Sequence, residues 1–210
     1  MDMKSIQVKS IPMPDISISE MSALLDEVPE YVLENSPWNE SGNLPKVNFS
    51  IAYHLNGLGI KYRVKETFFK LEYNRTNEPV YQDSCVEFFV SVADDSYLNF
   101  EFNAAGVCLA QSGTGRNDRE FLSSGEINSI QRIALINVEQ SKKPAYLWSL
   151  TVFIPWKVLK QTSVPAQLKV NFYKCGDRLP EPHYLCWNIV ESEKPDFHRP
   201  EYFGCLNFEK

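Results

Sequence analysis

Apolar and polar residues alternate most sharply between Val80 and Gly106, in VYQDSCVEFFVSVADDSYLNFEFNAAG. Successive side chains of a strand point to opposite faces, so Val86, Phe88, Val90 and Val92 share one face and Cys85, Glu87, Phe89 and Ser91 the other. A second strand repeats the pattern, with Leu98, Phe100 and Phe102 on one side and Tyr97, Asn99, Glu101 and Asn103 on the opposite one. Ala93-Asp94-Asp95-Ser96 joins the two as a hairpin-type connection. The apolar face is core. The opposite face gathers Glu87, Asn99, Glu101 and Asn103, and either meets solvent or carries chemistry.

The remaining pattern is mostly of the same kind. Residues 1–18 alternate but contain Pro12 and Pro14, which predicts an edge strand at best. Ser19 reads as an N-cap, and Met21, Leu24, Leu25 and Val28 carry helical spacing until Pro29, predicting one short amphipathic helix. VNFSIAYHL places Phe49, Ile51 and Tyr53 inward, and Asn56-Gly57 turns the chain into a half-exposed strand with Ile60, Tyr62 and Val64 inward. Residues 66–79 form a polar loop that delivers Tyr81 to a strand entrance. Ile127 to Val138 reads as a strand with Ile133, Leu135 and Val138 inward. Trp148, Leu150, Val152 and Ile154 form the core face of another, and Pro155 to Leu159 a helical turn. Leu168, Val170 and Phe172 then alternate with polar partners, and His183 to Val190 and a final strand close the chain. Short strands with one brief helix predict an all-β fold: an antiparallel β-sandwich of jelly-roll or immunoglobulin-like layering. Residues 1–37 are expected to be an N-terminal extension carrying the helix and packed on the domain, and residues 38–210 the sandwich.

Composition narrows the function. Hydrophobic residues at 43% and charged ones at 23% exclude disordered and collagen-like classes. Aromatics at 13% supply more flat surface than a core of this size needs, leaving some for stacking on a ligand. A net charge of −6 without a Lys/Arg cluster argues against nucleic acid as partner. No apolar run approaches the roughly 20 residues of a membrane span and no secretory h-region is seen, so the expectation is no membrane and a cytoplasmic location unless an export signal was removed. The 5 cysteines, Cys85, Cys108, Cys175, Cys186 and Cys205, lack C-x-x-C spacing and lie mostly in strand patterns. They are expected to be reduced and buried, with no disulfide framework and no structural zinc.

Several constellations bear on catalysis and cofactors. Glu87 and Glu101 on one face of neighbouring strands are a candidate glycosidase pair. Cys85 or Cys175 with His183 or His198 lacks the electropositive setting of a thiolate nucleophile. His54, His183 and His198 do not share metal-ligand spacing, and Met1, Met3, Met13 and Met21 all precede the sandwich, leaving no axial haem ligand in it. Asp83, Asp94, Asp95 and Asp177 lie near strand ends and loops, where a calcium ion could be held. The loop Gly113-Thr114-Gly115-Arg116-Asn117-Asp118-Arg119 lacks the lysine of a phosphate loop and offers its arginines for polar contacts.

Taken in order, YQDSCVEFFV, YLNFEFNAAG, WSLTVFIPW, VNFYKCGD, HYLCWNIV and FHRPEYFG, from about Trp38 to Phe208, resemble the family nine carbohydrate-binding modules and their DOMON-like β-sandwich relatives. The resemblance implies a sugar-binding sandwich in which two aromatic rings clamp a pyranose, often at a reducing end, while carboxylate, amide and arginine groups take its hydroxyls. Calcium is a common structural ion of the family, and no other cofactor is required. Tyr81 matches one clamp position, where the family usually has tryptophan, and Glu87 the carboxylate that follows. The second ring corresponds to Trp187 or to Phe197. Glu101 stands where a family arginine contacts sugar. The expectation is non-catalytic binding of a mono- or oligosaccharide, with Tyr81 and Trp187 or Phe197 stacking and Glu87, Glu101, Asn103 and Arg116 supplying polar contacts. The alternatives are a glycoside hydrolase using Glu87 and Glu101, and a protein-interaction domain with a degenerate sugar site.

Overall fold

The computed structural model describes residues 3–11, 15–39, 42–93, 96–140 and 145–209. Met1, Pro12, Met13, Pro14, Asp94 and Asp95, and with the last two the tip of the hairpin, lie outside them. In chain order the elements are β1 (Ser5–Ser10), α1 (Ile18–Leu24), β2 (Glu30–Val32), β3 (Lys46–His54), β4 (Gly57–Glu66), β5 (Cys85–Ala93), β6 (Ser96–Asn103), β7 (Cys108–Gly113), β8 (Glu120–Phe121), α2 (Ser124–Asn128), β9 (Gln131–Glu139), β10 (Ala145–Pro155), β11 (Gln167–Cys175), β12 (Tyr184–Cys186) and β13 (Gly204–Phe208).

The strands form an all-β sandwich of two sheets that meet along β1. One sheet runs β8-β7-β6-β5-β11-β13-β1, with β12 also on β11, and the other β1-β3-β4-β10-β9, with β2 also on β3. The first half of β1, Ser5 to Val8, pairs with β13, while Lys9 and Ser10 pair with Ala52 and Tyr53 of β3. Both pairings are parallel, whereas the other ladders among the described residues are antiparallel. β1 thus stands at the end of each sheet, as the edge-strand expectation has it, and joins the two. Each half pairs on one side only, while the side chains of Ile6 and Val8, 2% and 0% exposed, lie in the core.

Period two drives the packing between the sheets. Phe49, Ile51, Ile60, Tyr62 and Val64 meet Val86, Phe88, Phe100, Phe102, Val170 and Phe172, with Phe49 stacked on Phe172 at 4.0 Å. Each such side chain contributes about 1.5–3 kcal/mol by leaving water. Trp187 stands edge-on to Phe49 and Phe172 at 6.3 and 5.7 Å. Gly204 is required beside it, since a Cβ there would lie 2.4 Å from the indole.

Three local expectations shift. The helix α1 starts on Ser17 rather than Ser19: Ser17 Oγ accepts from Glu20 N, and the Glu20 carboxylate accepts from Ser17 N at 2.9 Å. This is a capping box, which needs Glu three residues after the serine. The same device, Ser123 with Glu126, starts α2, so Ile127 is helical and the following strand begins only at Gln131. In β9 Ala134, opposite Leu150, packs on the core, while Leu135, Ile136 and Val138 are 61%, 40% and 52% exposed.

Two features position the site. The outer face of the first sheet is covered as well, by loops and by the C-terminal segment, giving a second core of Val80, Cys85, Phe89, Tyr97, Leu109, Tyr173, Cys175, Cys186, Val190, Phe197 and Phe203. This consumes part of the aromatic surplus. On the inner side, Lys174 is wholly buried, 2.9 Å from Glu66 Oε2, donates to Cys175 O at 2.8 Å, and lies 2.9 Å from His183 Nε2. Trp148 Nε1 donates to Glu66 Oε1 at 2.6 Å.

Candidate functional site

The polar face of the β5–β6 hairpin becomes the floor of a cavity of about 250 Å³. Glu87 is directly opposite Glu101 across β5 and β6, and Glu101 opposite Leu109 across β6 and β7. On the other flank Glu87 pairs with Tyr173, and Cys85 with Cys175, across β5 and β11. All of these side chains share the outer face because directly paired residues point the same way.

Loops build the walls. A single 3-10 turn, Val80–Gln82, anchors Val80 in the second core and leaves Tyr81 half-buried at the cavity. The Tyr81 carbonyl accepts from Asp177 N at 3.0 Å, tying that wall to the end of β11. The loop after β7 folds tightly: Gly115 N donates to Asp118 Oδ1 at 2.7 Å and Arg119 Nε to Arg116 O at 3.0 Å. Gly113 is needed for it, because a Cβ there would lie 2.9 Å from the Arg119 Cα. The C-terminal segment supplies Phe197, stacked on Tyr173 at 4.1 Å, and His198, whose Nδ1 is 2.9 Å from the Tyr97 hydroxyl. Trp38 pins that segment, donating to Ser192 O at 2.9 Å with its ring 5.7 Å from Phe197.

The electrostatics of the floor are unbalanced. Glu87 and Glu101 are 3% and 4% exposed. Burial, and then the charge of Glu101, holds the Glu87 carboxyl well above the usual carboxylate range. Burial also raises Glu101, against the opposing pull of Arg119. Cys175 Sγ donates to Glu87 Oε1 at 3.0 Å, and Asn99 Nδ2 to Glu101 Oε1 at 3.0 Å. Arg119 Nη1 is 3.8 Å from Glu101 Oε1, beyond hydrogen-bond reach. Glu101 Oε2, Asn99 Oδ1 and Arg119 Nη1 are buried with no hydrogen-bond partner. Burial raises Asp177, and burial pushes His198 down to about 3, so it is neutral.

Of the residues singled out in the sequence, Tyr81, Glu87, Glu101, Arg116 and Phe197 line the cavity together. Arg116 is largely exposed, 3.8 Å from Asp196. Trp187 is placed in the core between the sheets, and Asn103 is spent on the turn that follows β6. Its Nδ2 donates to Tyr73 O and Asp83 Oδ2, and its Oδ1 accepts from Ala105 and Val107 amides. The sequence offered Arg119 only as one of the loop arginines available for polar contacts, and left out Gln111, Tyr184 and His198 as lining residues. For Gln111 the signal was present, since it is directly opposite Asn99 on the polar face.

The family model described as carbohydrate-binding family 9 matches residues 20–208. This chain belongs to carbohydrate-binding family 9. A crystal structure of a proposed carbohydrate-binding protein from Bacteroides uniformis superposes with a TM-score of 0.87 at 34% identity, covering 99% of this chain and 100% of that one. Two structures of a family 9 module from Caldicellulosiruptor kristjanssonii, one with glucose and one with cellotriose, share the fold at TM-scores of 0.57. Their identities are 14% and 12%, over 98% of this chain and 96% and 94% of theirs. No curated protein sequence matches this chain.

Calcium in a family 9 fold would need converging oxygen donors. The wholly buried Asp83 carboxylate instead accepts from the amides of Glu72 and Tyr73, at 3.1 and 3.0 Å, and from Asn103 Nδ2 at 3.1 Å, with the Lys70 ammonium 4.0 Å away. Those surroundings are all positive or hydrogen-bearing and do not fit a cation. Asp94 and Asp95 lie outside the described residues.

Proposed function

We propose that the chain binds a mono- or disaccharide in the cavity above the β5–β6 hairpin, without turning it over. The observation that carries this is the set of unpartnered polar atoms at the floor, Glu101 Oε2 and Arg119 Nη1. Buried polar atoms are nearly always paired, and a sugar hydroxyl both donates and accepts, so one hydroxyl serves a carboxylate and a guanidinium at once. Tyr81 and Phe197 add aromatic surface against which the C–H face of a pyranose buries apolar area. At about 250 Å³ the cavity lies just below the usual range of drug-sized pockets, which favours one or two sugar rings. Family membership and the glucose and cellotriose held by similar folds support the same reading.

Hydrolysis by Glu87 and Glu101 fits the floor less well. A glycosidase separates its carboxyl groups into a protonated acid and an ionised partner, whereas here burial drives both upward. Isothermal titration of the purified chain against glucose, xylose, galactose and cellobiose tests the proposal. Saturable heat is expected for at least one sugar, weakened tenfold or more in Tyr81→Ala. Absence of heat with every sugar sinks the reading, and turnover of chromogenic glycosides that disappears in Glu87→Gln replaces it with the hydrolase.

A further inference from the structure

We infer that Cys85, Cys175 and Glu87 form a binding site for a thiophilic divalent cation of the zinc class at the floor of the cavity. The two cysteines are far apart in sequence but directly opposite each other on β5 and β11, and Glu87 projects from the same face of β5. One Sγ from each cysteine and a carboxylate oxygen of Glu87 all lie within 4.8 Å of one another. Zinc bonds of about 2.3 Å to sulfur and 2.0–2.2 Å to oxygen place tetrahedral ligands roughly 3.5–3.8 Å apart. Small side-chain rotations close the gap, with no backbone movement.

Three further features support a site rather than a chance cluster. The ligands stand on paired strands in the interior of a sheet, so their geometry is fixed before any ion arrives. Cys175 and Glu87 line the cavity, which supplies an entry path and leaves a fourth position for water or a sugar hydroxyl. The Glu87 carboxyl also faces that of Glu101 across the ladder, with a thiol as its hydrogen-bond donor, and a dication there would stabilise the ionised carboxylate that burial and the facing carboxyl disfavour. The donor set selects the metal. Two sulfurs and one oxygen suit zinc and its thiophilic neighbours, whereas calcium and magnesium take oxygen alone. This departs from the expectation of no structural zinc, which rested on short-range C-x-x-C spacing and does not register cysteines joined across a ladder.

The rival outcome for the pair is a disulfide, because directly opposed strand residues fall within disulfide reach. The decisive experiment takes the full chain, reduced and metal-free, and titrates it with Co²⁺ as a coloured stand-in, followed by Zn²⁺. One equivalent of cobalt is expected to give a thiolate-to-cobalt charge-transfer band that Zn²⁺ removes. Cys85→Ser and Cys175→Ser each abolish the band, Glu87→Gln weakens cobalt binding tenfold or more, and Cys205→Ser leaves it intact. No band in the reduced wild type overturns the inference, as does a band that survives in the Cys85→Ser/Cys175→Ser double variant. If the serine variants fail to fold by circular dichroism, the wild type decides alone: its band must vanish when the two thiols are oxidised, and persistence overturns the site. The outcome is independent of sugar binding, which is read on the same preparation by calorimetry.

Discussion

Lys174 and Cys175 are neighbours in β11 and face opposite sides of it, each into a buried polar cluster. On the inner side the Lys174 ammonium meets the Glu66 carboxylate at 2.9 Å, and Trp148 and His183 complete the set. The outer side has two carboxylates, Glu87 and Glu101, with one guanidinium held off at 3.8 Å and polar atoms left open. The inner cluster is closed by charge: Glu66 Oε2 makes no hydrogen bond but stands 2.9 Å from the Lys174 ammonium, as in a structural ion pair. The outer cluster is missing partners, and the cavity above it is where they arrive. Buried charge alone therefore does not mark function here; incompleteness next to an opening does.

The largest expected effect tests the closed cluster. Lys174→Met leaves Glu66 buried without its counter-charge and is expected to cost about 3–5 kcal/mol in urea unfolding. Removing both charges, as Lys174→Met with Glu66→Gln, should recover much of that loss. A single-variant cost below about 1 kcal/mol would mean that Glu66 finds water, and the contrast with the cavity floor would break.

Acid titration sharpens the same contrast. His183, faced by Lys174 and Glu66, is pushed down to about 3 by burial and then by the Lys174 charge. Its folded pKa is depressed, so below the unfolded value near 6.5 the unfolded chain takes up a proton that the folded chain refuses. Stability is lost as pH falls from about 6.5 toward 3, at up to about 1.4 kcal/mol per pH unit for this one site. The difference in unfolding free energy between wild type and His183→Gln, measured from pH 7.5 to 4, isolates the slope and cancels the carboxylates. A flat difference would show that His183 protonates freely in the fold.

A smaller effect belongs to the open cluster. Arg119→Ala is expected to weaken sugar binding about tenfold, or about 1.4 kcal/mol. Its folding stability should change by less than about 1 kcal/mol, since the guanidinium makes no close ion pair. Calorimetry and urea unfolding on one preparation separate the two quantities. A large stability loss with unchanged binding would make Arg119 a loop anchor.

How much of this was legible differs between the regions. The inward faces of β5, β6, β10 and β11 follow from local alternation, because period two with large apolar side chains has few other solutions. Glu87 and Glu101 were legible as a pair for the same reason. What covers their face was not, because the C-terminal segment returns from about a hundred residues away and no local pattern encodes its landing. The choice between Trp187 and Phe197 turned on that return: β12 ends at Cys186, and Trp187 N bonds to Phe172 O with its ring in the core, while Phe197 lies over Tyr173. The role of β1 was hidden similarly, since parallel pairing with two distant strands leaves no hairpin signature. The capping boxes of Ser17 and Ser123, in contrast, were readable and passed over.

The smallest expected effect is the most discriminating. Glu101→Gln keeps the shape of the floor, retains an acceptor for Asn99 and removes one of two opposed carboxylates. Like charges directly across a ladder destabilise, and burial adds to the penalty on the ionised form. The variant is therefore expected to gain roughly 1 kcal/mol of folding stability at pH 7.5 while losing sugar affinity. Glu66→Gln, chemically the same change, is expected to lose stability, because Lys174 then stands buried without an anion. Opposite signs for the two substitutions would establish that one carboxylate is held by the fold and the other is held against it for a ligand. If Glu101→Gln instead destabilises as Glu66→Gln does, the floor is a second structural cluster and the cavity above it loses its claim as a binding site.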